Sequence, residues 1–350
     1  MAITSPDISG YFNALQGALS SVLPAQYAGP VALVIALIAF TIILSIIFSV
    51  FAYVFGWFER KAMARMQSRH GPTYVGPWGF LQNLADLVKL IAKEHILPDT
   101  ADKPLFQAGI PILLAIFVLI LALLPLTSGF VGIGTTFALI LVFMLLSFTP
   151  LLVFIVGWTS GNKFSSIAAQ RSVVMMLSYE IPLVLVVAAV AFLANGYAFN
   201  SIVAAQSHWW FIVLMPIGFI VFFITLLGEL DRPPLDLREA DSELIAGWLT
   251  DLSGPYYGLV LFLDYTRMFV GSLLVALLFL GGWLGPAWLP QFAWLIIKVI
   301  IVSVFIVFIR ATTVRMRIDR LLRIGWTYLM PLAVINLLLT FVLFIGAQAL

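Results

Sequence analysis

The sequence predicts an all-α, polytopic integral membrane protein of about eight transmembrane helices, with both termini on the outer side. Three observations predict it. Of 350 residues, 63% are hydrophobic and only 10% charged, against roughly 25% charged in a soluble domain. The mean hydropathy is +1.11. The few charges fall almost entirely in alternate connections between apolar runs.

Those runs lie near 31–58, 108–126, 137–157, 172–194, 209–228, 257–281, 292–309 and 326–347. Each approaches or exceeds the ~20 residues that span a bilayer core as helix. The first is longer than needed and is expected to tilt or protrude. No Lys or Arg precedes it, whereas a secretory leader opens on a basic segment, so the first helix is expected to be retained. No internal repeat or pair of broken segments is visible, which argues against an inverted-repeat carrier. The chain reads as a single membrane domain over 1–350, with two functional loops at 59–107 and 229–256.

Seventeen of the eighteen Lys and Arg residues lie in or beside the odd connections, and the last is Lys298. The even connections, near 127–136, 195–208 and 282–291, carry no charge. The positive-inside rule then makes the odd connections cytoplasmic, in a multi-pass protein of the inner or plasma membrane. A net charge of +2 argues against a nucleic-acid partner. With no cysteine, the chain can supply neither a disulfide nor a thiolate ligand to an iron–sulfur cluster. His70, His95 and His208 lie in polar connections, which argues against a haem held between membrane helices. No metal or covalent cofactor is expected, and electrons must come from a partner or a diffusible molecule.

Seven carboxylates fall within residues 229–251: Glu229, Asp231, Asp236, Glu239, Asp241, Glu243 and Asp251. A solvated loop with an Arg232–Asp236 i,i+4 pair is one reading. The other places Asp236, Glu239 and Glu243 on one helix face around a polar cavity, which the apolar interruption at 244–248 favours. Glu180 lies deeper. If the fourth helix starts near Arg171, Glu180 stands roughly 13 Å along it, near the bilayer midplane, where a charge costs about 2.5–3.5 kcal/mol. It must be protonated, bonded to a neighbouring helix or facing a hydrated cavity, and Pro182 frees a carbonyl nearby. Asp264 and Arg267 read equally as an ion pair or as part of a path. Lys298 snorkels outward or continues a polar axis. Closely spaced acids cannot all ionise, so such a row is suited to proton relay.

The first connection, from Glu59, reads ERKAMARMQSRHGPTYVGPWGFLQNLADLVKLIAKEHILP. Gly71-Pro72 and Gly76-Pro77 fix turns. The run 80–91 carries Leu81, Leu84, Leu87, Val88 and Ile91 on one helical face, which predicts an interfacial amphipathic helix or one packed on the protein's own loops. Arg60, Lys61 and Arg65 are placed to bond a headgroup or lipid phosphate.

This loop resembles the first cytoplasmic loop of the H subunit of NADH–quinone oxidoreductase, respiratory complex I. The resemblance continues through GWTSGNKFSS, SYEIP, ELDRPPLDLREADSELIAGWLTDLSG, FLDY and RATTVRMRIDRLLRIGW, from residue 59 to about 331. It implies a subunit at the junction of the electron-transfer and membrane arms, one that lines the quinone chamber and its opening to lipid. The implied partners are iron–sulfur and membrane subunits, membrane lipid and a quinone of unspecified type as substrate. By motif, the resemblance assigns Glu59, Arg60, Lys61, Arg65, Gln67, Arg69, Gly71, Pro72, Gly76 and Pro77 to quinone access. It assigns Glu180, Glu229, Asp236, Glu239, Asp241, Glu243, Asp251 and Asp264 to a proton path.

The chain departs from the family pattern in places. Asp241, Asp251 and Asp264 stand where Glu is common, Asp231 where bacterial members often have Asn, and Arg238 where Pro usually follows Asp-Leu. Val314 replaces a common Pro and Arg320 a common Gln. Relatives fed by a deazaflavin or ferredoxin, and membrane-bound hydrogenases that use no quinone, leave the electron donor open. An ion antiporter acting alone is the reading from another class.

Overall fold

A computed structural model describes residues 25–349, apart from 240 and 287. Its elements are helical. The first, α1 (Ala25–Met66), has 42 residues, or about 63 Å of helix, against a hydrocarbon core of about 30 Å. The short helix α2 (Gln82–Ile91) follows, then α3 (Lys103–Leu123), α4 (Ala138–Thr159) and α5 (Lys163–Ala194). Beyond the short α6 (Phe199–Ala205) and α7 (Phe211–Leu214) come α8 (Pro216–Glu229), α9 (Asp241–Leu244), α10 (Gly254–Phe279) and α11 (Gln291–Thr312). The chain closes with α12 (Ile318–Ile324), a π-turn over Gly325–Leu329, and α13 (Met330–Ala349).

Among the described residues, six helices are long and apolar enough to cross a membrane: α3, α4, α5, α10, α11 and the continuous stretch Ile318–Ile345. The expected fifth span is divided. Pro216 has no N–H to extend α7, so the helix breaks at Met215 (φ −134°, ψ 66°) and restarts as α8. The fourth span starts at Lys163, eight residues before the expected Arg171, because the Asn162 side chain accepts a bond from Phe164 N at 3.0 Å and caps the helix there.

Packing centres on two helices. α5 lies against α4, α8 and α13, while α10 lies against α1, α3 and α11. From Thr266 to Phe279 every residue of α10 is buried, so this helix is covered on all sides. The charged connections gather at one end of the bundle, where Arg232 reaches Glu59 and Arg315 reaches Asp236. The other end is tied by Ser128 to Gln291 (2.8 Å) and by Lys298. Lys298 Nζ donates to the carbonyls of Leu280, Gly282 and Leu284 at 2.7, 2.8 and 2.7 Å, above the Trp210 ring. The ammonium is thus held by backbone carbonyls rather than by water, so Lys298 neither snorkels into solvent nor joins the charged end. Lys298→Met leaves three carbonyls short of a donor and is expected to cost on the order of 2–3 kcal/mol, read as a lowered thermal midpoint of the solubilised protein. An unchanged midpoint would remove this capping role.

Candidate functional site

The loop after α1 is shaped by its glycines. Gly79 has φ +73°, and a Cβ there would stand 2.1 Å from the Pro72 carbonyl oxygen. The Gly76-Pro77 turn thus closes against Gly71-Pro72 only with glycine at its end. Lys61 Nζ fastens the same turn by donating to Pro72 O (2.8 Å) and Trp78 O (3.2 Å). Arg60 donates to Asp86 of α2 (2.5 Å) and to the Tyr265 hydroxyl of α10 (2.9 Å). Burial pushes the Asp86 carboxyl up, but hydrogen bonds from Arg60 and Gln82 outweigh it and hold Asp86 below the usual carboxylate range. Arg60 and Lys61 are thus turned inward as struts rather than outward toward a headgroup. Arg65, Gln67 and Arg69 remain exposed.

On α2, Leu84, Val88 and Ile91 are 48%, 59% and 62% exposed, while Leu90 is buried. The apolar face therefore points away from the protein, as an interfacial helix requires. Between α1, α2 and α10 lies an open cavity of about 520 Å³. Its walls are mostly apolar (Tyr53, Phe80, Leu84, Leu87, Leu261 and Phe262), and the polar groups converging on it include Arg60, Asp86 and Tyr265.

Immediately beside this cavity is a second constellation, buried and charged. Glu59, 1% exposed, receives Arg232 at 3.0 Å and also Arg310 of α11. Arg232 further donates to the Asp264 backbone carbonyl at 3.2 Å. Asp231 lies between two guanidinium groups. Arg267 Nη1 bonds one oxygen at 2.7 Å, and Arg238 Nε stands 2.7 Å from the other, off the line a hydrogen bond needs. Arg267 also reaches Asp264 at 3.7 Å, and Arg315 pairs with Asp236 at 3.0 Å. Arg238, with no exposed surface, donates to the Tyr179 hydroxyl of α5 at 2.9 Å. Glu229 is buried at the end of α8, within hydrogen-bonding reach of Tyr179.

The arrangement holds carboxylates poised rather than simply neutralised. Burial pushes Asp231 up to about 6 despite Arg238 and Arg267. Burial, then repulsion from Asp264, Asp236 and Asp231, raises Glu239 well above its ordinary value. Glu239 therefore holds its proton more tightly than an exposed carboxyl does, and Asp231 does so to a lesser degree.

Sequence-predicted residues divide between these places. Glu229, Asp236, Glu239 and Asp264 meet in the cluster, and Glu59, assigned to quinone access, joins them. Glu243 is instead exposed and paired with Arg171 at 2.5 Å. Asp251 accepts from Asn162 (3.1 Å) and Ser165 (3.0 Å) at the start of α5. The Asp241 side chain lies outside the described residues. Glu180 stands mid-way along α5, half-buried, one residue from Tyr179. The expected helix face shared by Asp236, Glu239 and Glu243 does not form. Pro233 and Pro234 lack donors, Asp231 takes φ +53°, and only Asp241–Leu244 is helical. Nor does Arg232 pair with Asp236, since it is drawn to the more deeply buried Glu59. What sequence reading missed is the basic half of the cluster, Arg232, Arg238, Arg310 and Arg315, together with Tyr179. The available signal was imbalance: the seven carboxylates at 229–251 have only Arg232 and Arg238 among them, so further basic partners had to come from other connections.

Comparison with known proteins agrees with this architecture. A family model described as NADH dehydrogenase matches residues 38–341. The chain is 39% identical over 287 residues to the H subunit of NADH-quinone oxidoreductase from Dehalococcoides mccartyi (strain CBDB1), covering 82% of this chain and 81% of the relative. It is 40% identical over 290 residues to the H subunit from Geobacillus sp. (strain WCH70), covering 81% and 86%. With the H subunit from Carboxydothermus hydrogenoformans it shares 36% over 287 residues, 81% and 82% of the two chains. A buried carboxylate–guanidinium cluster beside an apolar cavity thus sits on a chain that belongs to the family of NADH-quinone oxidoreductase H subunits.

Proposed function

We propose that this chain is the quinone-access and proton-coupling membrane subunit of a complex I-type oxidoreductase, crossing the membrane about eight times with its charged loops cytoplasmic. One observation carries the reading. Arg60 and Tyr265, which line the apolar cavity, are the chain neighbours of Glu59 and Asp264, which belong to the charge cluster. A lipid-soluble ring drawn from the bilayer past α2 therefore comes within one residue of the carboxylates. Reduction of that quinone by an iron–sulfur subunit would place negative charge near the cluster and raise its proton affinity. The exposed turn with Tyr74 and Trp78, 99% and 72% exposed, supports contact with a headgroup layer or a neighbouring subunit. Glu180 is flanked on its face by exposed Leu177, Ile181 and Val184. A mid-span carboxylate on such a face cannot lie against hydrocarbon, which supports a neighbouring membrane subunit covering it.

Leu87→Trp would fill the cavity from the α2 side. The expected result is a KM for long-chain quinone raised about tenfold, the equivalent of roughly 1.4 kcal/mol. Electron transfer from the donor to a water-soluble artificial acceptor should be unchanged. Native quinone kinetics in that variant would sink the access role. Assaying the purified complex for quinone reduction against hydrogen evolution separates this reading from a hydrogenase-type subunit.

A further inference from the structure

Arg238 is a full positive charge with no exposed surface, held where three elements meet. Its neighbours are Tyr179 of α5, Asp231 of the loop and Glu229 of α8, and Asp231 in turn faces Asp236 of the loop and Asp264 and Arg267 of α10. A guanidinium has only donors. Tyr179 must therefore use a lone pair to accept from Arg238 Nη2, and its own proton is left to point elsewhere. Glu229 is the carboxylate within reach, and its Oε1 is buried with no hydrogen-bond partner. The bond from Arg238 thus leaves the Tyr179 proton free to be given to Glu229.

We infer that Arg238 is a positioning residue that fixes the Tyr179 hydroxyl as donor to Glu229 and supplies the positive charge that lets Glu229 and Asp231 release protons. Asp231 and Arg238, both buried, face one another at 2.7 Å. The buried acid is matched by the cation it stands against, so the two act as one unit within the cluster. The inference rests on the proton-coupling reading above and deepens it. It assigns the setting of that site's working pH to a residue that touches neither quinone nor the cavity.

Removing the cation disfavours the anionic form of both carboxylates, so their protons leave at higher pH. An opposite charge this close moves a carboxylate by about 1–3 units. In the intact complex, Arg238→Gln is expected to shift the acid limb of quinone-coupled proton translocation upward by about one unit or more. Arg238→Lys, which keeps the charge, should stay close to the native profile. A superimposable pH profile in a normally assembled Arg238→Gln complex would overturn the inference. So would equal loss of assembly in the Gln and Lys variants, which indicates a purely structural role. If Arg238→Gln alone fails to assemble, Tyr179→Phe serves instead. It removes the directed donor while leaving the cation in place, and is expected to shift the same limb upward, whereas an unmoved limb overturns the inference. Quinone reduction by the same preparations with an uncoupler present keeps the two readings separate. Its absence in the native complex condemns the functional reading, not the assignment of Arg238.

Discussion

Glu180→Gln is expected to abolish proton translocation coupled to quinone reduction, while the complex still assembles. Gln matches Glu in size and hydrogen-bonding reach but cannot take up and release a proton. Among the described residues Glu180 has no ion pair to lose, so its replacement should leave stability within about 0.5 kcal/mol of native, as for positions outside the usual destabilising mechanisms. Its neighbour Tyr179 reaches both Arg238 and Glu229, which places Glu180 one helical step beyond the cluster. The measurement is proton uptake in reconstituted vesicles during quinone reduction. Normal translocation would end the role assigned to Glu180.

Glu59→Ala should have the largest effect on stability. Glu59 is the counter-charge for Arg232 and Arg310, and both it and Arg232 are buried. Removing one partner from a buried pair leaves the other charge uncompensated, at a cost of about 3–5 kcal/mol. The Arg310 side chain is 30% exposed, so water recovers part of its share and the lower end of that range is expected. Three segments lose their common tie: the end of α1, the loop after α8 and the end of α11. The expected readout is a steep drop in thermal stability and in the yield of assembled complex, larger than for Glu59→Gln, which keeps the shape and one acceptor. Equal behaviour of the two variants would show that the charge is not what holds them.

Sequence reading was accurate where the physics is local. Length and apolarity mark a span wherever the solvent is hydrocarbon, so the helices at 103–123, 138–159 and 291–312 fall close to expectation. Amphipathic periodicity likewise located α2, and even its exposed apolar face follows from the pattern. Glu59 shows where adjacency misleads. The motif groups it with Arg60 because they are consecutive, yet consecutive side chains on a helix point about 100° apart. Arg60 therefore faces the cavity while Glu59 faces the cluster.

The i,i+3 pair Asp264–Arg267 was legible, but the long-range partners of Glu59 were not. Glu59 pairs across 173 and 251 positions of sequence, and no periodicity carries information over that distance. Asp236, Glu239 and Glu243 failed for a different reason. Their spacing suited a helix, but Asp236 and Glu239 lie in irregular backbone, and of this stretch only Asp241–Leu244 is helical. The Asn162 cap that starts α5 early was also readable, since Asn before an apolar run is a common helix start.

Lys298 gives the molecule an electrical polarity of its own. Its three donors are all spent on carbonyls at the end of the bundle remote from the cluster, and the connections at that end carry no acid. A proton moving inward from the carboxylates meets, along α10, only buried apolar side chains between Met268 and Phe279 apart from Ser272, and beyond them a fixed cation. The far end behaves as an insulator, and the chain as a conductor grounded on one side. On the proton-coupling reading, charge delivered to the cluster would be turned sideways, toward whatever covers the flank of α5 that bears Glu180.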